Sequence, residues 1–236
     1  MKKQFAVILV AALFSTPIMA GEAHGDVAAA RALIKEMNVQ NAAYISAHKA
    51  EFFKNKAKGQ NPRATVITCS DSRVHTTMMD ETPEGDLFMI RDIGNQMSTA
   101  EGSVEYGVNH LGSSLLLVIG HSACGAIKAA SGDYASLEPA IKRELDTIKI
   151  GKGVANIDGV KTNVNNQVAA AMQKFSDKVK SGQLLVVGAV YDFSDDMKQG
   201  AGKLNIINAN GETDAQKLKV ALNAKQEPVD THQHEH

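Results

Sequence analysis

The sequence predicts an α/β fold with a mainly parallel central sheet, flanking helices, an N-terminal helical arm and one edge strand. Three observations support this prediction. Short apolar runs recur along the chain, the runs are apolar on both faces, and helical patterns separate them. A run that is apolar on both faces is typical of a buried parallel strand, and strands that alternate with helices form a sheet with helices on its faces.

The central strands are predicted at four of these runs, residues 63–68, 87–91, 115–119 and 184–190. Each run ends in a polar or glycine-containing segment, and such a segment indicates the change from strand to loop. A further run at residues 203–207 is predicted to form the edge strand.

Helical periodicity precedes and separates these strands. Residues 26–56 are alanine-rich and helical in pattern, with apolar positions at Leu33, Ile34 and Met37. Ahead of the fourth strand, apolar residues recur at intervals of three and four, which places them on one helix face that packs on the core. These residues are Val160, Val164, Val168, Met172, Phe175 and Val179.

The full chain of 236 residues is 44% hydrophobic, which fits one globular domain with a sizeable core. Its N-terminus differs in composition from the remaining residues. Lys2 and Lys3 precede an apolar stretch at 5–14, and Ala20 offers a favourable cleavage site. This pattern predicts a secretory signal peptide over residues 1–20, too short to span a membrane comfortably. We therefore expect an exported, periplasmic protein with no stable membrane insertion after cleavage.

The predicted organisation after the signal peptide is a helical arm at 21–56, an α/β domain at 57–223 and a tail at 224–236. The tail is polar and ends in alternating histidines, which can chelate a metal, although its composition is typical of a flexible terminus. Loss of Lys2 and Lys3 changes 25 basic and 26 acidic residues to 23 and 26, a formal charge of −3. No basic stripe remains, which argues against nucleic-acid binding.

Two short segments carry the chemistry. Residues 69–74 read CSDSRV after the first predicted strand, and residues 121–125 read HSACG after the third. Ligands of open α/β sheets bind where the strands end. Cys69, His121 and Cys124 together offer the ligand set that suits zinc. A structural zinc site has four such ligands, whereas three leave a position for water, which is typical of a catalytic site.

A disulfide between Cys69 and Cys124 is the alternative interpretation, because an oxidising compartment permits one. Two neighbouring residues favour the metal. His121 lies three residues before Cys124, and Asp71 lies two residues after Cys69. The sequence therefore favours a metal site over a disulfide.

The two segments resemble those of the β-class carbonic anhydrases. The resemblance extends over residues 52–207 and includes five further segments. They read GQNP at 59–62, GDLFMIRDIGN at 85–95, SVEYGV at 103–108, NVNNQV at 163–168 and GAVYD at 188–192. One departure is Asp92, where the family usually has asparagine beside Arg91; it bears on local pairing and leaves the ligand set intact.

The resemblance implies a zinc-dependent carbonic anhydrase in which Cys69, His121 and Cys124 hold one Zn²⁺ per chain. Zinc-bound hydroxide would hydrate carbon dioxide reversibly to bicarbonate and a proton. The domain at 57–223 would be catalytic. The arm at 21–56 would pack across a partner subunit in a homodimer or larger homo-oligomer, the alternative being a surface helix on a monomer.

The resemblance also implies roles for individual side chains. Asp71 paired with Arg73 would leave the metal open and orient the hydroxide, whereas Asp71 bound to the metal would stop turnover. The amide of Gln60 would donate to a substrate oxygen, with a solvated loop residue as the alternative. Phe88 and Tyr106 match apolar pocket positions, although each also suits plain core packing.

Proton transfer and substrate choice are less determined by the sequence. His110 and His75 are the candidates for carrying the proton away, since imidazole titrates near working pH. Two alternative functions use the same scaffold: hydrolysis of carbon disulfide or carbonyl sulfide, and non-catalytic binding of zinc or bicarbonate. Gln60 and the Asp71–Arg73 pair favour the anhydrase over the non-catalytic alternative, and the shape of the substrate tunnel separates the two enzymes.

Overall fold

The structure, a computed structural model, describes residues 26–223. The predicted signal peptide at 1–20 and the predicted tail at 224–236 lie outside the described residues. The chain divides into two compact units between Ala57 and Lys58. Within residues 26–223, no helix has both the length and the apolar character needed to cross a bilayer.

The first unit contains the two helices α1 (Val27–Ala47) and α2 (Ala50–Lys56). The carboxylate of Asp26 caps α1 by accepting the N–H of Ala28 at 2.7 Å. The backbone is extended at His48, so the region predicted as helical is two helices with a break. The α1 side chains are exposed or half-exposed, and its apolar residues therefore remain largely open to solvent within this chain.

The second unit is built on a five-stranded sheet in the order β2-β1-β3-β4-β5. Strands β1 to β4 pair in parallel and β5 pairs antiparallel to β4. They are β1 (Ala64–Cys69), β2 (Leu87–Asp92), β3 (Leu115–His121), β4 (Leu185–Asp192) and β5 (Lys203–Ala209). The predicted α/β fold is confirmed, and β5 is the edge strand that the sequence predicted.

Burial explains why the central strands read as continuous apolar runs. All six residues of β1 are buried, as are six of the seven in β3, because helices or loops cover both faces of the sheet centre. The edge strands β2 and β5 are only partly buried. Strand β3 continues two residues beyond its predicted end at 119, so that His121 is its last residue.

The long helix α6 (Asn156–Lys174) packs on β3 and β4 through the predicted valine stripe, and Val160, Val164 and Val168 are buried. Gly188 on β4 permits this close packing, since a Cβ there would lie 2.7 Å from a methyl group of Val164.

The prediction of one continuous helix over 160–179 is wrong at Phe175. The chain leaves helical geometry there, with φ −109° and ψ 32°, and restarts as α7 (Ser176–Lys180). The turn keeps Phe175 buried and lets Val179 pack against the same core cluster as Leu184. Core packing therefore overrides the regular period of the pattern.

Shorter elements complete the second unit. Thr76–Met78 is a 3₁₀ turn and Tyr106–His110 is a π-helical turn. The remaining helices are α3 (Glu101–Glu105), α4 (Gly125–Ser131), α5 (Pro139–Leu145) and α8 (Ala215–Asn223).

A buried amide network fixes the loop after β2 onto α6. Gln96 donates to the Oδ1 atom of Asn163 at 2.8 Å, and Gln167 donates to the Oε1 atom of Gln96 at 3.0 Å. Asn163 in turn donates to the carbonyl of Gly94 at 2.9 Å. Satisfied buried networks of this kind hold backbone in one conformation. The loop that passes beside Cys69 is therefore rigidly placed.

Candidate metal centre

The three candidate ligands meet where β1 and β3 end. Cys69 is the last residue of β1, His121 is the last residue of the adjacent β3, and Cys124 directly precedes α4. One ligand atom from each residue lies within 4.8 Å of the others, and all three residues are buried. Parallel pairing brings the strand ends to one edge, and the short turn to α4 returns the chain to the same point.

The imidazole of His121 presents its Nε2 atom to this centre. Its Nδ1 atom lies 2.9 Å from the carbonyl oxygen of Ser122, which can only accept, so we assign the ring proton to Nδ1. Nε2 is then an acceptor, and it is buried without a hydrogen-bond partner. A buried imidazole nitrogen left in this state fits a metal ligand whose orientation is set by the other nitrogen.

The two cysteines are free thiols in this structure, not a disulfide. A hydrogen bond from Cys124, assisted by the backbone N–H of Gly94, lowers the pKa of Cys69 to about 4 against the effect of burial. The same hydrogen bond and burial raise the pKa of Cys124. The two sulfurs therefore lie within hydrogen-bond reach of each other, and a divalent cation bound by both would stabilise them as thiolates. The donor set fits zinc.

The carboxylate of Asp71 lies beside these ligand atoms and is paired with Arg73. Oδ1 accepts from Arg73 Nε at 2.9 Å and Oδ2 accepts from Arg73 Nη2 at 2.6 Å. These bonds lower the pKa of Asp71 to about 2, although partial burial opposes the shift. Oδ2 is also 3.8 Å from His121 Nε2. The carboxylate is therefore close to the centre while both oxygens are occupied by one guanidinium group.

A second arginine anchors the backbone of this segment. Arg91 donates through Nε to the carbonyl of Cys69 at 3.2 Å and through Nη2 to the carbonyl of Asp71 at 2.7 Å. These bonds tie the end of β1 to β2.

Asp92, the departure from the family pattern, serves the loop after β2. Its two carboxylate oxygens accept from the N–H of Gln96 at 2.8 Å and the hydroxyl of Thr99 at 2.5 Å. Burial raises its pKa to about 6, in spite of these bonds. Asp92 therefore accepts one hydrogen bond from a backbone N–H group and one from a hydroxyl group within this loop.

Two of the three predicted substrate residues, Phe88 and Tyr106, lie side by side in the second unit. Gln60 is exposed in the segment before β1. Phe88 on β2 is partly buried against the core, as plain packing predicts, and its ring centroid is 5.9 Å from that of Tyr106. Tyr106 is 48% exposed. The roles of these three residues toward substrate stay predictions.

The candidate proton carriers both lie at the surface. His75 is exposed next to the 3₁₀ turn, with Nδ1 3.3 Å from the hydroxyl of Thr76. His110 is exposed at the end of the π-helical turn and stacks on Tyr106 at 5.7 Å between centroids. A role in proton transfer stays a prediction for each.

Sequence reasoning missed Phe193. It follows the last residue of β4, the strand next to β3, and its ring lies against both His121 and Arg73. The available signal was its position one residue beyond a strand that ends at the same edge as the ligands.

Comparison with known proteins agrees with this geometry. Residues 64–200 match the family model described as carbonic anhydrase. The chain belongs to the β-class carbonic anhydrases. It is therefore an enzyme, a carbonic anhydrase, and the non-catalytic alternative is set aside.

Similar sequences include two mycobacterial carbonic anhydrases. Carbonic anhydrase 2 of Mycobacterium tuberculosis is 31% identical over 155 residues, which cover 59% of this chain and 74% of the relative. The carbonic anhydrase of Mycolicibacterium smegmatis is 30% identical over 186 residues, which cover 72% and 90% of the two chains.

Similar solved structures are β-carbonic anhydrases. One is from a report on two tetrameric enzymes of Sordaria macrospora and superposes with a TM-score of 0.62 at 25% sequence identity. The superposition covers 76% of this chain and 97% of the Sordaria macrospora chain. The Coccomyxa enzyme in complex with acetazolamide superposes with a TM-score of 0.61 at 25% sequence identity. The superposition covers 79% of this chain and 90% of the Coccomyxa chain.

Proposed function

We propose that this carbonic anhydrase is zinc-dependent and hydrates carbon dioxide reversibly to bicarbonate and a proton. The observation that carries the proposal is the unpartnered, buried Nε2 atom of His121 beside the two buried, free thiols. Cys69, His121 and Cys124 would hold one Zn²⁺ per chain. When bound, the metal supplies Lewis acidity that makes hydroxide available near neutral pH.

The protein prepares the ligands before any metal arrives. The carbonyl of Ser122 selects the tautomer of His121 that offers Nε2, and this bond also raises the basicity of the imidazole. Two thiolates balance the charge of a divalent cation. Three protein ligands would leave a bound zinc able to accept one further ligand, the reacting group.

Asp71 supplies an acceptor for that ligand. With a pKa of about 2 the carboxylate is ionised at neutral pH and can only accept hydrogen bonds. It would therefore orient the hydrogen of the attacking group. Arg73 engages both of its oxygens, and this pairing supports an open fourth position.

The substrate would be recognised by apolar and amide groups. Carbon dioxide is small and uncharged, and the partly buried ring of Phe88 next to Tyr106 offers it an apolar surface. The exposed amide of Gln60 would donate to a substrate oxygen as negative charge develops there.

Export and assembly are part of the proposal. The signal-peptide pattern at residues 1–20 supports a periplasmic location. The Sordaria macrospora enzymes are described as tetrameric. Leu33, Ile34 and Met37 on α1 are 51%, 58% and 54% exposed, which supports a homo-oligomer in which α1 covers its apolar residues against another subunit.

Metal analysis of the purified mature protein, combined with stopped-flow hydration of carbon dioxide, tests the proposal. We expect about one zinc per chain and rapid hydration that is lost on chelation and restored by zinc. Release of hydrogen sulfide from carbon disulfide or carbonyl sulfide is measured in parallel. Zinc binding with sulfide release but without hydration would replace the anhydrase proposal with the hydrolase alternative, and absence of zinc from an active enzyme would overturn the metal assignment.

A further inference from the structure

Phe193 connects two groups at the candidate metal centre. The Cζ atom of Arg73 lies 4.7 Å from the centroid of the Phe193 ring. The same ring lies 5.8 Å from the imidazole of His121, with 28° between the two planes. One aromatic side chain therefore contacts both the guanidinium that pairs with Asp71 and the imidazole that faces the thiols.

The backbone on both sides of Phe193 is held in place. The buried carboxylate of Asp192 accepts the N–H groups of Asp196 at 3.0 Å and Met197 at 2.7 Å. On the other side, the N–H of Ser194 donates to the hydroxyl of Ser122 at 3.2 Å. These bonds fix the backbone from which the ring of Phe193 reaches Arg73.

Arg73 needs such support because its side chain is 52% exposed. An ion pair between exposed side chains contributes little stability and is easily broken. A guanidinium that stacks on an aromatic face loses freedom, and its planar donors stay in the plane that suits bidentate pairing. The ring thus favours the arrangement in which Nε and Nη2 reach both oxygens of Asp71.

The consequence concerns the fourth metal position. Oδ2 of Asp71 is 3.8 Å from Nε2 of His121, so a carboxylate released from Arg73 would be near enough to compete for a metal held by that nitrogen. A carboxylate oxygen is itself a zinc ligand. Whatever strengthens the pair with Arg73 therefore keeps the fourth position free.

We propose that Phe193 is a positioning residue whose ring holds Arg73 in its bidentate pair with Asp71 and so keeps the carboxylate off the metal. The inference rests on the metal site of the proposed function. It assigns a role to a residue directly after β4, outside the two segments that contain the candidate ligands.

The test uses three variants of the mature protein. Phe193→Leu removes the aromatic face and keeps apolar bulk, whereas Phe193→Tyr keeps the face. Tyr134→Leu is the matched control, since it removes a ring that lies 4.8 Å from the ammonium group of Lys152 and is not itself a candidate ligand. Each protein is loaded with cobalt(II), and the affinity for azide is measured from the cobalt absorption.

Azide must compete with Asp71 for the fourth position. We expect Phe193→Leu to weaken azide binding roughly two- to fivefold, the range of one cation–π contact at a partly exposed site. Phe193→Tyr and Tyr134→Leu should bind azide as the parent does. Unchanged affinity in Phe193→Leu would overturn the inference.

A double variant identifies the route of the effect. In an Asp71→Ala background no carboxylate competes, so the further change Phe193→Leu should leave azide affinity unaltered. An equal loss in both backgrounds would show that Phe193 acts through His121 or through pocket shape, and the role assigned here would be wrong.

A measurement on the metal-free protein separates this inference from the proposed function. In arginine ¹⁵N spectra we expect the Arg73 Nε–H signal to be shifted by the ring current, to persist in Phe193→Tyr and to move to the range of exposed arginines in Phe193→Leu. A parent signal already in that range would overturn the inference. Missing thiolate-to-cobalt absorption would instead contradict the proposed metal site, and the Arg73 signal would still decide the role of Phe193.

Discussion

Oδ2 of Asp71 lies 3.8 Å from Nε2 of His121 while Arg73 Nη2 donates to the same oxygen at 2.6 Å. The carboxylate is therefore paired with Arg73 while it lies beside a candidate metal ligand. Under the proposed function, loss of this pair would let the carboxylate compete for the metal.

Replacing Arg73 by alanine should close the site. Without the guanidinium, Asp71 is free to coordinate zinc, and we expect hydration activity to fall by at least about tenfold. The crystal structure of the zinc-loaded variant should show four protein ligands, whereas Asp71→Ala should show three. Arg63→Ala is the control, because Arg63 makes the same bidentate pair with Asp86 away from the ligands. Full activity with an open fourth position in Arg73→Ala would remove this gating mechanism.

Replacing Cys124 by alanine should abolish metal binding, because a methyl group cannot act as a ligand. We expect near-zero zinc by elemental analysis and hydration at the uncatalysed rate. In the parent protein, thiol titration should find two reactive thiols only after chelation. A parent enzyme that is active yet disulfide-linked between Cys69 and Cys124 would contradict the ligand assignment.

Replacing Gln60 by alanine should lower turnover and leave zinc in place. Loss of one oriented donor costs about 1–3 kcal/mol of transition-state stabilisation, roughly five- to 150-fold in rate. Stopped-flow kinetics should show the loss in hydration, with unchanged dependence on buffer concentration. Gln173→Ala on the exposed face of α6 is the matched control. Unaltered kinetics in Gln60→Ala would return this residue to the role of a solvated loop residue.

Asp192 should make stability depend on pH. Burial raises its pKa, but the N–H donors of Met197 and Asp196 outweigh burial, so the pKa lies below its ordinary value of 3.8. The stabilisation is present above about pH 4 and is lost as pH falls below it. Asp192→Asn should be less stable at pH 6, with a smaller further loss between pH 5 and pH 3 than the parent, as measured by denaturant unfolding.

The exposed Asp158 supplies the control for this measurement. Its side chain is 61% exposed, and Asp158→Asn should retain the parent's pH dependence. An Asp192→Asn variant whose stability falls with acid as steeply as the parent's would show that Asp192 is not responsible.

Replacing Gly188 by alanine should destabilise the second unit. The added Cβ would lie 2.7 Å from a methyl group of Val164 and 2.9 Å from one of Val168, so the packing of α6 must shift at a cost of about 1–3 kcal/mol. Gly102→Ala is the control, since its Cβ meets nothing within 4 Å and alanine favours the helix. A Gly188→Ala protein with the parent's unfolding midpoint would contradict this account of the packing.

The fold was predictable where structure follows local pattern. Residues 63–68 and 115–119 read as strands because burial on both faces demands continuous apolar residues, and the structure forms β1 and β3 there. The helix break at Phe175 was not predictable from periodicity. A residue in helical register carries no local sign that the core behind it requires the chain to turn.

The candidate site divides in the same way. The sequence by itself determined the donor set, because Cys69, His121 and Cys124 are soft or borderline ligands at the ends of apolar runs. It also determined that Asp71 and Arg73 lie side by side in the chain.

Only the tertiary structure decided how these groups are oriented. The meeting of the two thiols at His121 and the ring of Phe193 against Arg73 both depend on contacts between segments that follow separate strands. Residue type and spacing specify which chemical groups a chain contains and how far apart they lie in the sequence. The direction of a lone pair and the partner of a guanidinium depend on which strand ends meet, and that is settled only when the sheet assembles.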